Sequence, residues 1–201
     1  AFINAGRLEE ARDWTDWLHR AAAGDPGDMR IMYGIGGERR LLEWEADWLP
    51  GYEGARPVRI GNAAHRQFQL DVYGELMDAF HQARKGGLQN PDSWDVQLAI
   101  VDHVAQVWEQ PDEGIWEVRG PAQNFTFSKI SAWVVMDRAI KAVEDFGRPG
   151  KVEAWKRLRE TIREDILARG FDGRKNAFKR SYEDSGADAS LLLLAEVGFV
   201  E

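Results

Sequence analysis

Apolar side chains recur along this chain at steps of three and four residues, and that spacing restricts it to an essentially helical fold. Leu8, Ala11, Trp14 and Leu18 form one series, Ala64, Phe68, Val72, Leu76 and Phe80 a second, and Trp94, Leu98, Val101, Val104 and Trp108 a third. Ile130, Trp133, Met136, Ile140 and Val143 continue the pattern, followed by Val152, Trp155, Leu158, Ile162 and Ile166 and by the apolar stretch from Leu191 to Val197. Residues three and four apart share one face of an α-helix, so each series is a stripe that must bury itself against a neighbour. Six helices are expected. Gly24, Gly86, Gly147, Gly170 and Gly198 stand where helices should stop, because glycine readily takes the left-handed cap conformation. Only Met29 to Ile35 reads as a short strand.

The connections alternate in length. Residues 24–60, 111–127 and 170–187 are long, whereas 86–92 and 147–150 are short. In an antiparallel array every second connection lies at the same end, so the long loops are expected on one face of a rigid scaffold, where function usually resides. An up-down bundle with irregular loops satisfies the same pattern.

A chain of 201 residues with 44% apolar and 30% charged residues reads as one domain, 1–201, with a sizeable core. Its 34 acidic and 26 basic residues give a net charge of -8, which repels phosphate backbones and anionic lipid, so neither nucleic acid nor membrane is expected as a partner. The absence of cysteine removes thiolate nucleophiles and zinc-thiolate sites and fits a reducing cytoplasmic setting. No apolar run approaches the ~18 residues of a membrane span. The first residue is Ala1, and the opening stretch is already helical in character, as if chain were missing before it. His19, His65, His81 and His103 show no i, i+4 pairing of the kind a helical zinc site uses, and Arg39 interrupts the glycine run at Gly34, Gly36 and Gly37. No metal and no cofactor are expected.

The middle long loop carries the most chemistry. Asp112-Glu-Gly-Ile-Trp-Glu-Val-Arg-Gly120 sets Glu117 between the Trp116 indole and the Arg119 guanidinium. A carboxyl pressed against an indole face has its charged form disfavoured, so it can stay protonated and donate to a leaving oxygen, while Arg119 opposes that shift. The bland counterpart is a partly buried aromatic beside a surface ion pair. Arg59 and Asn62, in the first long loop, can fork hydrogen bonds onto sugar hydroxyls, or serve as an ion-pair member and an N-cap. Trp44, between Glu43 and Glu45, offers a flat apolar face, and Lys129 either binds hydroxyls or holds the loop. Asp188 reads as the N-cap of the last helix, and Asp71 as a member of a buried polar network.

Several segments resemble the inverting glycosidases of the glucoamylase, glucodextranase and bacterial trehalase family, glycoside hydrolase family 15. They are Met32 to Leu41, Glu43 to Glu45, Leu49 to Gly54, Arg56 to Ala64, Gln67 to Gly74, Asp112 to Gly120, Asn124 to Lys129 and Asp188 to Leu192. The resemblance implies an all-α fold, an (α/α) toroid of the six-hairpin type, of which this chain is a partial toroid from the middle of the catalytic domain. It implies Glu117 as general acid, Trp116 as a pocket wall and an α-linked glucose oligosaccharide or disaccharide as substrate. Where many fungal members carry a second acidic residue after the acid, this chain has Val118, which points to the bacterial branch. Inversion needs a second carboxyl roughly 6.5–9.5 Å away to activate water. The resemblance places it beyond Glu201, so the chain by itself is expected to be inactive. A truncated toroid should also self-associate, or pair with its missing segment, through apolar open ends. The competing reading is a non-catalytic carbohydrate-binding or helical interaction module.

Overall fold

The computed structural model describes residues 2, 3, 5–22, 24–88 and 93–200. They divide into two compact units, residues 1–29 with 69–201, and residues 30–68.

The first unit is all-α apart from one tiny hairpin. Its helices are α1 (Leu8–Ala22), α2 (Asp71–Lys85), α3 (Ser93–Val107), α4 (Thr126–Glu144), α5 (Val152–Gly170) and α6 (Leu193–Glu196). The long helix α4 is its centre, packed on α2 and α5 and, less extensively, on α3. It is buried continuously from Thr126 to Ile140 and again at Ala142, so only its last turn meets water. Its charges are therefore paired. Asp137 receives Arg138, Lys141 and Arg159, and Arg138 also reaches Asp78 on α2. Helix α2 can approach closely because it carries Gly74, where a Cβ would lie 2.7 Å from the Ser131 side chain and carbonyl oxygen on α4. Helices α1, α2, α4 and α6 border an apolar cavity of about 440 Å³ that Trp14, Phe127 and Val134 help to line.

Three sequence readings need correction. The second apolar series does not form one helix. Ala63–Arg66 is a short 3-10 turn capped by Asn62, and Gln67 is extended. Helix α2 then starts afresh after Leu70, whose N–H donates to Asp112 rather than continuing an earlier helix. Met29 to Ile35 forms no strand. The ladders are instead two residues long, β1 (Trp44–Glu45) with β2 (Arg59–Ile60), and β3 (Phe171–Asp172) with β4 (Ala177–Phe178), too short to show alternation in a sequence. Gly24, Gly147 and Gly198 take positive φ as expected, but at the end of α2 it is Gly87, not Gly86, that does so, and Gly170 closes α5 within the helix. The remaining helices fall where the stripes put them. No helix among the described residues is long and apolar enough to cross a membrane.

Candidate active site

The loop between α3 and α4 is built on buried anchors. Asp112 exchanges backbone hydrogen bonds with Gln123 at 2.9 Å in both directions, closing the loop at its base. Its fully buried carboxylate accepts from Leu70 N at 2.9 Å. Burial pushes this carboxyl up to about 6, against the opposing pull of the Leu70 N–H, the Ser128 hydroxyl and the Lys129 charge. Lys129 is 1% exposed and donates Nζ to the Trp108 and Gln110 carbonyls at 2.8 and 2.6 Å. Burial lowers that ammonium to about 8, so it holds the entrance of the loop as a cation through neutral pH. Asp71, at the start of α2, is buried beside Asp112. Burial, with the charges of Asp112 and Glu75, raises it to about 7.

The exit of the loop is tied to the third long connection. Asn124 donates its N–H and its amide to Glu183 at 3.0 and 2.7 Å, Ser181 Oγ donates to Gln123 at 2.8 Å, and Phe125 bridges Ser181. The second and third long loops therefore meet, as the alternation of connection lengths implies. The first long connection forms the second unit.

At the tip of the loop Glu117 N donates to the Gly114 carbonyl and Val118 N to the Glu113 carbonyl, at 3.1 and 3.2 Å. This pair of bonds has the pattern of a Schellman stop, whose left-handed position is usually glycine. Here it is Glu117, with φ at 52°. A non-glycine residue in that conformation costs about 1–3 kcal/mol and persists only where its surroundings over-determine it. The brace is visible. Trp116 Nε1 donates to both oxygens of Asp188, at 2.9 and 3.0 Å, and Gly114 lies against the Phe125 ring, where a Cβ would come within 2.7 Å. Trp116 remains 58% exposed, and Glu117 is half-buried beside it with Arg119 on the surface. A carboxyl held on a rigid turn next to an open indole face can give a proton to a ligand lying on that face.

Asp188 also accepts from Ser190 N at 2.8 Å, so the N-cap expected there is present. Sequence reasoning missed its second task, because the indole it holds is 72 residues away. It likewise missed Asn124, Glu183, Gln123 and Ser181, whose pairings leave no periodic signal.

In the second unit Arg59 faces Glu43 and Glu45 at 3.4 and 3.5 Å across the β1–β2 pair. Asn62 Oδ1 caps the following turn by accepting from Ala64 N at 2.9 Å. The Trp44 ring, 44% exposed, lies 5.5 Å from the more exposed Trp48. The structure therefore has Trp116, Glu117 and Arg119 with Asp188 in one unit, buries Lys129 in the core of that unit at the carbonyls of Trp108 and Gln110, and has Arg59, Asn62 and Trp44 in the other. Among the described residues no group of three or more His, Cys, Asp or Glu side chains is arranged to hold a metal ion.

The chain belongs to Glycosyl hydrolases family 15, which it matches over residues 1–201. It is 40% identical over 199 residues to a trehalase of Mycolicibacterium smegmatis, covering 97% of this chain and 30% of the relative. A trehalase of Mycobacterium tuberculosis is 43% identical over 173 residues, 86% of this chain and 25% of its own length. A trehalase of Thermoplasma acidophilum is 36% identical over 173 residues, again 86% of this chain and 30% of the relative. The chain thus spans about a third or less of the length of these relatives. No solved structure matches it.

Proposed function

We propose that this chain supplies the acid half of an inverting α-glucoside hydrolase, with Glu117 as general acid. The observation that carries the reading is the Glu117 turn, a strained, doubly braced carboxyl beside an open indole in a member of this family. In the reaction Glu117 gives its proton to the glycosidic oxygen as the bond from the anomeric carbon breaks, and water adds to that carbon from the opposite face, losing a proton to a second carboxylate. That carboxylate is assigned to the remainder of a longer polypeptide, since the relatives extend well beyond the matched region. Trp116 walls the sugar, and Arg119 lies where it can meet hydroxyls or the departing group. The second unit, taken by itself, offers Arg59 and Asn62 as donors to sugar hydroxyls and Trp44 as a stacking face. Lys129 acts as the anchor of the loop, its ammonium being spent on two carbonyls.

The substrate proposed is an α-linked glucose disaccharide, with trehalose first because the relatives are trehalases. The test is glucose release from trehalose, maltose and isomaltose by the complete polypeptide that contains these residues. Positioned proton donation accounts for about 10²–10⁴ in rate, so Glu117→Gln should lose at least a hundredfold in kcat. A loss below tenfold would remove Glu117 from the role, and no release from any of the three sugars would favour a binding module.

A further inference from the structure

We propose that Asp188 is a positioning residue for the acid, acting through Trp116: its carboxylate grips the indole N–H and thereby fixes the turn that aims Glu117. This rests on the reading of Glu117 as general acid.

The indole is more than half exposed, so packing restrains it only in part and its hydrogen bond to Asp188 sets its direction. The carboxylate is itself immobilised. Oδ1 accepts from the N–H and the hydroxyl of Ser190, a buried residue at the start of a 3-10 turn, at 2.8 and 2.5 Å. Capping alone needs a single acceptor, which asparagine or serine supplies equally well. The second oxygen is used by the indole at 3.0 Å. Burial pushes the carboxyl upward, but the bonds from Ser190 and Trp116, together with the Arg180 charge, outweigh it and keep Asp188 ionised at neutral pH. Trp116 directly precedes the left-handed residue, so a fixed indole restrains the backbone that enters Glu117. The anchor caps the turn that follows the third long connection and the acid lies on the second, so the bond ties the acid to a separate part of the unit.

A double-mutant cycle in the complete polypeptide tests this. Trp116→Phe keeps the ring and removes the donor, and Asp188→Ala removes the acceptor. Each is expected to lower kcat for glucose release by about tenfold or more, Asp188→Ala with KM changed by less than about threefold, and the double variant should have a kcat no lower than that of the poorer single one, because both break the same bond. Asp188→Asn, which retains one acceptor, should recover part of the loss. Losses that multiply in the double variant would overturn the proposal, as would a rise in KM at unchanged kcat on Asp188→Ala, which would put Asp188 on the sugar. Should Asp188→Ala fail to fold, full activity of Trp116→Phe alone overturns it. Glu117→Gln, measured alongside, keeps the two ideas separate. High activity there removes the acid itself, whereas a large loss there with multiplying factors removes only the role of Asp188.

Discussion

At the scale of single residues, the chain favours placement of one carboxyl over local comfort. Glu117 takes the left-handed position that glycine fills more easily, so the loop carries strain at the point where the chemistry is proposed. Replacement by glycine and by glutamine would remove the carboxyl equally, but only glycine would release the strain. Glu117→Gly is therefore expected to be more stable than Glu117→Gln by about 1 kcal/mol, a difference of roughly 3 °C in Tm, with both equally inactive. Equal melting temperatures would mean that the turn is relaxed. The position of Glu117 was legible in the sequence, because glycines bound the loop and an indole precedes the acid. Its backbone conformation was not, since nothing in a Trp-Glu-Val string marks a left-handed residue. Asp188 was legible as a cap, a local pattern, but not as the partner of Trp116, a contact that exists only after folding.

At the scale of elements, helix α4 shows where sequence periodicity stops informing. Its apolar series reads as one stripe with a polar opposite face, yet that face is buried too, because Asp137, Arg138 and Lys129 find partners in neighbouring elements. The boundaries of α1, α3, α4 and α5 were legible because each stripe is long. The break at residues 67–70 was not, because apolar spacing continues across it while the Leu70 N–H turns to Asp112. Glycine in the interior of α2 would normally weaken a helix by up to about 1 kcal/mol relative to alanine. Gly74 inverts that expectation, since an added methyl would meet the α4 backbone and Ser131 at 2.7 Å. Gly74→Ala is expected to destabilise the protein by about 1–3 kcal/mol in denaturant unfolding, through displacement of α2 from α4. A stabilised variant would show that the two helices can separate without cost.

At the scale of the whole molecule, buried ionisable groups set how stability responds to pH, which the net charge of -8 does not reveal. Burial raises Asp71 to about 7 and Asp112 to about 6, and raises Glu75 as well. From about pH 4, where an unfolded chain releases such protons, up to about 7, the folded state therefore binds more protons, and stability falls as pH rises through that window. His81 acts in the opposite sense. Burial, with help from the charges of Arg138, Lys141 and Lys85 and against that of Asp78, lowers it to about 4. Between about 4 and 6.5 the unfolded chain binds the extra proton at this site, so stability there rises with pH. Each group contributes a slope of at most about 1.4 kcal/mol per pH unit, so below 6.5 His81 cancels only one of the carboxyl slopes, and the net fall continues until Asp71 is ionised near 7. Asp137, lowered because its bonds to Lys141 and Arg138 outweigh its burial, adds a loss of stability in strongly acid solution. Melting temperature should accordingly decline from about pH 4.5 to 7 and level off above that. Asp71→Asn keeps the shape of the side chain and cannot ionise, so it should flatten the decline between about pH 6 and 7 and make the fall below 6 shallower. His81→Gln should do the reverse, steepening the decline between about pH 4.5 and 6.5. Parallel profiles for the wild type and Asp71→Asn would mean that Asp71 is already ionised in the folded protein, with a partner other than a proton to neutralise it.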